Sequence, residues 1–245
     1  MKQLQIHDLS KKFDQKIIFE NANFDFSQGQ IYGLLGRNGS GKSTLFNLIA
    51  RNIPFDAGEI QIDSDEGAGL TGDYPDLAVE MVYTQPHLPS FMTAREFVTF
   101  FTQINSQRLM NVNSSQKPRE YLELAGLSAD DANKLLRDYS QGMLNKLQLV
   151  VALMLKPPVL LLDEPLTTVD VVAAHEMQQL IVSMKQDSVI IFSTHIMQLA
   201  QNLCDQVVLL HHQQLEELPG LDLHSEAFEN AVIERLTDEI NDDQN

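Results

Sequence analysis

A glycine-rich stretch, GRNGSGKST at residues 36–44, has the residue types and the spacing needed to hold a phosphate group. It fits the pattern Gly-x-x-x-x-Gly-Lys-Ser/Thr, and it lies between an apolar run and a segment of helical period. Glycines let the backbone turn sharply and approach a phosphate without a Cβ clash, and the N–H groups at the helix start then point at its oxygens. We expect Lys42 to bridge the β- and γ-phosphates and the Ser43 hydroxyl to coordinate magnesium. The stretch therefore predicts a nucleotide-binding loop made of Gly36, Arg37, Asn38, Gly39, Ser40, Gly41, Lys42, Ser43 and Thr44.

Two carboxylates, Asp163 and Glu164, end the apolar run PVLLLDE. Charged groups at the end of a buried strand are costly unless they bind something, and adjacent strand residues point to opposite faces. We expect Asp163 to hold the magnesium shell and Glu164 to face the γ-phosphate and to position or deprotonate a water. An ordinary acidic pair at a strand end is the alternative, and the phosphate loop in the same chain favours the catalytic interpretation.

Two further polar residues end predicted strands: His195 follows SVIIFST, and Gln85 follows VEMVYT. Ligands of parallel α/β sheets bind at such strand ends. His195 is therefore expected to contact the γ-phosphate, although a single histidine is more often structural. Gln85 has a neutral side chain that is expected to reach the magnesium ion or the attacking water.

The elements that must position these residues alternate along the chain. Strands are predicted at 2–8 and 17–27, then at 30–36, and further strands follow helical stretches. This alternation predicts an α/β fold with a largely parallel sheet. Three segments of helical period, 93–104, 117–127 and 129–139, predict a small helical insertion. The C-terminal segment 221–245 has the pattern of an amphipathic helix with a polar end.

Composition excludes several classes of protein. The chain has 245 residues and a net charge of -17, which argues against a broad electrostatic grip on nucleic acid. Ten Asp or Glu and one Arg lie in residues 216–245, a pattern most simply explained as a solvated acidic tail. No apolar run is long enough to span a membrane, and the N-terminus is too polar for a signal peptide. A single cysteine, Cys204, excludes an internal disulfide and suits a reducing cytosol.

These motifs, in this order, resemble those of the ATP-binding subunit of an ABC transporter over about residues 2–218. The phosphate loop is followed by a glutamine loop at Gln85, a signature at 139–143, the carboxylates, a turn ending at Asp170 and a switch histidine. The usual signature is Leu-Ser-Gly-Gly-Gln, whereas this chain has Tyr-Ser-Gln-Gly-Met. That form looks like the branch of separate-subunit exporters of drugs, peptides, lantibiotics and some ions. The turn LTTVD also departs from the usual Ser-Ala-Leu-Asp or Gly-Leu-Asp.

The resemblance implies a P-loop NTPase core with a mostly parallel sheet, an N-terminal antiparallel β subdomain and an inserted helical subdomain. It implies a nucleotide-binding domain over 1–220, with the helical subdomain at about 86–140, and a tail at 221–245. Phe13, which precedes the phosphate loop in the chain, matches the aromatic residue that stacks on adenine. The signature residues Ser140, Gln141 and Gly142 would contact the ATP of a second chain, and Asp170 would lie in the dimer loop.

The implied function is ATP hydrolysis that powers transport, with ATP and Mg²⁺ as cofactors. The implied partners are membrane-spanning permease subunits and a second ATP-binding subunit, identical or different. No nucleic-acid partner and no direct membrane insertion are expected. The expected localisation is cytoplasmic, peripheral at the inner face of the cell membrane. The alternative is a soluble ABC-type ATPase acting on a protein or nucleic-acid assembly, but such relatives usually carry two nucleotide modules. A site that binds ATP but hydrolyses it poorly is a further alternative, which Glu164 and His195 argue against.

Overall fold

The computed structural model describes residues 3–63, 70–71, 74, 78–111, 117–167 and 169–242. Parts of the acidic segment 63–80 and Thr168 of the turn LTTVD therefore lie outside the described residues. The strands are β1 (Gln3–Phe13), β2 (Lys16–Ser27), β3 (Ile31–Leu35), β4 (Ala57–Asp63), β5 (Leu70–Thr71), β6 (Val79–Val82), β7 (Val159–Asp163), β8 (Val189–Thr194), β9 (Gln206–His211) and β10 (Gln214–Glu217). The α-helices are α1 (Lys42–Ile49), α2 (Ala94–Ile104), α3 (Ser106–Asn111), α4 (Pro118–Leu124), α5 (Gln141–Leu155), α6 (Val171–Met184), α7 (Met197–Leu203) and α8 (Glu226–Asp242).

The chain divides into two compact units. The first unit comprises Met1–Met81, Pro158–Asp163 and Ser188–Asn245, and the second comprises Val82–Pro157 and Glu164–Asp187. The strands of both sheets belong to the first unit, apart from the last residue of β6. The helices α2 to α6 make up most of the second.

The first sheet of the first unit is antiparallel, with strand order β2-β1-β4-β5. Its central strand β1 pairs with β2 and with β4, and Leu4 and Ile6 of β1 are fully buried. Apolar residues alternate with polar ones along these strands, so that one face of the sheet packs against the core and the other faces solvent. Strand β1 continues past its predicted end to Phe13, through pairing irregularities that follow Ile6.

The second sheet has the order β10-β9-β3-β8-β7-β6. Strand β3 pairs in parallel with β8 and β9, β7 pairs in parallel with β8, and β10 pairs with β9 in the antiparallel sense. All five residues of β3 and all six of β8 are buried, which explains why β3 and the first four residues of β8 lack polar side chains apart from the Tyr32 hydroxyl. The predicted fold class, an α/β fold with a mostly parallel sheet and an N-terminal antiparallel sheet, is confirmed.

One hydrophobic core joins the two sheets and α1. Its largest members are the fully buried rings of Phe19, Phe26 and Phe46. Helix α1 contributes Leu45, Phe46, Leu48 and Ile49 to it, which fixes the helix that begins at Lys42. Helix α8 also packs in this unit, where it buries Phe228 and Val232. The apolar stripe predicted in the C-terminal segment therefore forms a docked helix.

The second unit is helical. Its central helix α5 packs against α2, α3, α4 and α6. Helix α2 begins with a capping box, in which Thr93 accepts from the Glu96 N–H and Glu96 accepts from the Thr93 N–H. The predicted helical insertion at 86–140 lies within this unit, and its boundaries stay a prediction.

Residues 129–139 differ from the prediction of a continuous helix. They form two short 3₁₀ helices, Asp131–Asn133 and Leu136–Asp138, joined by extended backbone at Lys134 and Leu135. Leu135 forms a β-bridge with Thr93, and the Leu136 N–H donates to the Met92 carbonyl at 2.8 Å. These backbone bonds to the start of α2 interrupt the local helical preference. Among the described helices, none combines the length and the hydropathy needed to cross a lipid bilayer.

Candidate nucleotide site

The phosphate loop connects the buried strand β3 to α1 in the first unit. Gly39 and Gly41 adopt φ angles of 82° and 115°, in the left-handed region that favours glycine. A Cβ atom at Gly41 would also lie 2.6 Å from Cγ2 of Ile18. The second glycine of the motif is therefore required both by the backbone conformation and by close packing.

Lys42 is 7% exposed, and its ammonium group is enclosed by the loop. The Nζ atom donates to the Gly36 carbonyl at 2.7 Å and to the Arg37 carbonyl at 3.0 Å. A buried ammonium group needs such partners, and these bonds hold the charge inside the curve of the loop. The arrangement can supply a fixed positive charge to a bound phosphate.

Asp163 accepts a hydrogen bond on each carboxylate oxygen. The Ser43 hydroxyl donates to Oδ2 at 3.1 Å, and the hydroxyl of the fully buried Ser193 donates to Oδ1 at 2.7 Å. Strand pairing explains the second contact, because Asp163 lies beside Ser193 in the β7–β8 register. Ser43 and Asp163 thus present two hard oxygen ligands at one point, a donor set that fits Mg²⁺. Magnesium commonly takes only one or two protein ligands and fills its shell with water and phosphate oxygens.

His195 and Phe13 also belong to the first unit. His195 is exposed and directly follows β8, the strand that carries Ser193. Phe13 ends β1 with 46% of its surface exposed, and the Lys11 ammonium lies 5.1 Å from its ring centre. Lys11 is itself buried and pairs with Asp56 at 3.1 Å. This cation–π contact steadies an aromatic ring that is exposed enough to stack on a base.

In the second unit, Glu164 and Asp170 flank the turn that leads into α6. Glu164 has a φ angle of 47°, a strained conformation for a residue with a side chain, of the kind that clusters at functional sites. Asp170 caps α6, since its Oδ1 accepts from the N–H groups of Val172 and Ala173 at 3.0 Å each. The bond from Ala173 is the main reason why the pKa of Asp170 lies below its usual value.

The signature residues surround the start of α5, as its capping sequence predicts. The Ser140 hydroxyl accepts from the Met143 N–H at 3.3 Å, and the side chain is exposed. Gly142 is buried, and a Cβ atom there would lie 3.2 Å from that of Ala173. Tyr139 donates its hydroxyl to the Asp131 carbonyl at 2.8 Å, and burial raises its pKa to about 12. Tyr139 is thus an anchor of this loop.

Gln141 makes contacts within its own chain. Its amide donates to the Thr84 carbonyl at 3.2 Å and to Oδ1 of Asn145 at 3.1 Å. Thr84 directly precedes Gln85, which is exposed in the bend after β6. The structure therefore joins the signature to the backbone that carries the glutamine loop.

Sequence reasoning missed three residues of these surroundings, Ser193, Asn145 and Gln148. The signal for two of them was available, because Asn145 and Gln148 are polar residues on one face of a mostly apolar helix, four and seven positions after Gln141. Ser193 gave no such signal, since only the strand register brings it to Asp163.

Comparison with known proteins agrees with this geometry. A model of the ABC transporter family matches residues 19–167. The chain is 31% identical over 214 residues to YxlF, an uncharacterized ABC transporter ATP-binding protein of Bacillus subtilis, covering 86% of this chain and 69% of that protein. It is also 31% identical over 217 residues to the bacitracin transport ATP-binding protein BcrA of Bacillus licheniformis, covering 86% and 68%.

A solved structure of an ATP-binding subunit of an ABC transporter has the same fold. Its TM-score is 0.75 at 24% sequence identity, and the match covers 96% of this chain and 99% of that one. Since the family model spans more than half of the residues and includes both the phosphate loop and the strand carboxylates, the chain belongs to the ABC transporter family and is an ATP-binding subunit with ATPase activity.

Proposed function

We propose that this chain drives an exporter of drug, peptide or similar substrates, and that it does so with separate membrane-spanning permease subunits. The observation that carries the nucleotide chemistry of this proposal is the hydrogen bond between Ser43 and Asp163, beside a buried Lys42 in the phosphate loop. These three groups form one polyphosphate and metal site within the first unit.

Lys42 binds the β- and γ-phosphates in this proposal, and the loop N–H groups and the start of α1 bind the remaining oxygens. Ser43 and Asp163 hold Mg²⁺, with Gln85 as a further oxygen ligand. The metal, when bound, neutralises charge on the β- and γ-phosphate oxygens. Phe13 stacks on the adenine, and its exposed surface together with the Lys11 contact supports that role.

Glu164 acts as the general base that activates the attacking water, while His195 and Gln85 orient the γ-phosphate and that water. The strained backbone at Glu164 supports this assignment. Asp163 serves the metal rather than the water in this proposal, because the Ser43 hydroxyl lies against one of its oxygens.

Two such subunits close around two Mg-ATP in this proposal, and the exposed Ser140 and the backbone at Gly142 meet the ATP bound by the other chain. An exposed hydroxyl at the N-terminus of a 15-residue helix supports that role, since such a terminus favours an anion. Asp170 lies in the dimer loop and holds it by capping α6.

The exporter assignment rests on two observations. The Tyr-Ser-Gln-Gly-Met signature resembles that of separate-subunit exporters, and one relative is named for bacitracin transport. The proposal places the chain in the cytoplasm, peripheral at the inner face of the cell membrane.

The test is affinity purification of the tagged chain from detergent-solubilised membranes, followed by ATPase assay of the complex. We expect a protein with several membrane spans to co-purify and the Mg²⁺-dependent ATPase activity to accompany it. Recovery of the active ATPase with soluble proteins alone would instead support the ABC-type ATPase that acts without a permease.

A further inference from the structure

Three polar side chains form one row along α5: Gln141, Asn145 and Gln148. They stand at positions i, i+4 and i+7, so they share one face of a helix whose remaining residues are mostly apolar and buried. Asn145 is 0% exposed and Gln148 is 9% exposed. Buried amide groups of this kind need hydrogen-bond partners, and the partners show what the row does.

Gln148 binds both backbone groups of Tyr83. Its Oε1 accepts from the Tyr83 N–H at 3.2 Å, and its Nε2 donates to the Tyr83 carbonyl at 3.1 Å. Gln141 binds the next carbonyl, that of Thr84, at 3.2 Å. The two glutamines therefore replace a strand partner for the backbone immediately after β6 and immediately before Gln85.

Asn145 extends the row to a second segment. Its Oδ1 accepts from Gln141 at 3.1 Å, and its Nδ2 donates to the Pro165 carbonyl at 3.2 Å. Pro165 directly follows Glu164 in the chain. One face of α5 thus holds the backbone beside Gln85 and the backbone beside Glu164, and all of these residues lie in the second unit.

We propose that Gln141, Asn145 and Gln148 are positioning residues that couple the signature helix to the backbone on which Gln85 and Glu164 are carried. The inference rests on the proposed roles of Gln85, Glu164 and Ser140 and deepens them. When the start of α5 engages the ATP of a second chain, these hydrogen bonds transmit the displacement of the helix to both segments. Hydrogen bonds to backbone atoms suit this task because they move the chain itself.

The proposal also explains Gln141, the residue that stands where the usual signature has glycine. Its amide is engaged with Thr84 and Asn145 of its own chain. A glycine at this position would have no side chain to reach Thr84. Gln141 therefore serves the link within the chain, and Ser140 and Gly142 serve the partner's ATP.

The test uses the full chain with its permease, in wild-type form and as Gln148→Met and Gln141→Ala. Each variant removes amide hydrogen bonds. Gln148→Met keeps most of the side-chain volume, and Gln141→Ala keeps the helix propensity. Gln179→Met is the matched control, because Gln179 is an exposed glutamine of α6 whose amide lies 3.1 Å from the His175 ring, away from the row on α5. Three quantities are measured: amide hydrogen exchange at Tyr83, the Kd for ATP without hydrolysis, and kcat.

In Gln148→Met we expect the Tyr83 amide to exchange about 3- to 10-fold faster, as loss of one hydrogen bond predicts. We expect kcat to fall about 10-fold or more in Gln148→Met and by a smaller factor in Gln141→Ala, with the Kd for ATP within about 2-fold of wild type. Gln179→Met should match wild type in all three quantities.

Wild-type kcat in both variants would overturn the inference, whatever the rate of Tyr83 exchange. So would an equal loss of ATP affinity and kcat, since that pattern indicates general damage to the fold. If Gln148→Met fails to fold, Gln141→Ala decides the outcome, because its half-buried site in the first turn of α5 tolerates alanine. Failure of the proposed function would look different: the active wild-type ATPase would be recovered with soluble proteins alone, while the Tyr83 exchange would still respond to Gln148→Met.

Discussion

Ser43 and Asp163 are 120 residues apart in the sequence, and the hydroxyl of the first donates a hydrogen bond to the carboxylate of the second at 3.1 Å. The contact joins the first turn of α1 to the end of β7. It brings together two oxygen groups of the kind that bind magnesium, beside the lysine that the phosphate loop encloses. The proposed chemistry depends on this relationship more than on any single motif.

Ser43→Ala should raise the Mg²⁺ concentration that gives half-maximal ATPase activity by about 10-fold or more, because the proposed metal ligand and its orienting bond to Asp163 are both lost. The measurement is an Mg²⁺ titration at fixed ATP. Ser183→Ala is the control, since that hydroxyl donates to the Leu180 carbonyl of its own helix. An unchanged Mg²⁺ dependence in Ser43→Ala would remove Ser43 from the metal site.

Glu164→Gln should reduce kcat by about 100-fold or more and leave the Kd for ATP nearly unchanged, because the amide keeps the shape of the side chain and loses its basicity. Equilibrium binding of a fluorescent ATP analogue and steady-state phosphate release measure the two quantities. Glu20→Gln, an exposed change on β2, serves as control. Turnover near the wild-type value would show that another group is the base.

Phe13→Ala should weaken ATP binding by about 5- to 100-fold, since stacking of a base on an aromatic ring contributes about 1–3 kcal/mol. Phe13→Tyr should retain the affinity, because it keeps the ring and the contact with Lys11. Isothermal titration with ATP and with inorganic triphosphate distinguishes the base contact from the phosphate contact. A similar loss of affinity for triphosphate would contradict a role in base stacking.

Ser140→Arg should block the ATP-dependent dimer and steady-state hydrolysis while binding of ATP to the chain's own phosphate loop stays nearly unchanged. In the proposed dimer, the bulky side chain would separate the exposed cap of α5 from the γ-phosphate bound by the other chain. Sedimentation with ATP in the Glu164→Gln background measures the dimer. Ser106→Arg is the control, because Ser106 is an exposed serine at the start of another helix, α3. A dimer in Ser140→Arg equal to that of the control would refute the assignment.

Cys204 predicts a pH dependence of stability. Burial, followed by the nearby charge of Asp205, raises the pKa of this thiol well above its ordinary value of about 8.5. The folded chain keeps the proton and the unfolded chain loses it above about pH 8.5, so the free energy of unfolding falls as the pH rises past that value. Urea unfolding of wild type and Cys204→Ala at pH 7.5 and 9.5 measures this. The difference in free energy of unfolding between wild type and Cys204→Ala should change with pH. A difference that is the same at both pH values would contradict a buried, protonated thiol.

The phosphate loop, the strand carboxylates and the family could be predicted from the sequence because their patterns are local. Gly41 shows why: its left-handed backbone and its packing against Ile18 allow only glycine, so the constraint is visible in the residue type itself. The apolar runs that became β3 and β8 are likewise determined by burial on both faces.

Residues 129–139 show the limit of local patterns. Their apolar residues do recur with a helical period. Backbone pairing of Leu135 with Thr93 and of Leu136 with Met92 nevertheless divides the segment into two short 3₁₀ helices. Those partners precede α2, in a part of the sequence too distant for any periodicity within 129–139 to indicate them.

The sequence alone determined the phosphate-loop pattern and predicted the residues that bind the nucleotide, because glycine, lysine and serine at this spacing between a strand and a helix are typical of a phosphate site. Only the tertiary structure decided which of them contact each other and what Gln141 does. The register of β7 and β8 sets Ser193 against Asp163, and the packing of α5 sets Gln141 and Gln148 against Tyr83 and Thr84. These are contacts between distant segments, and their energies depend on how the elements pack rather than on the order of residues in any one of them.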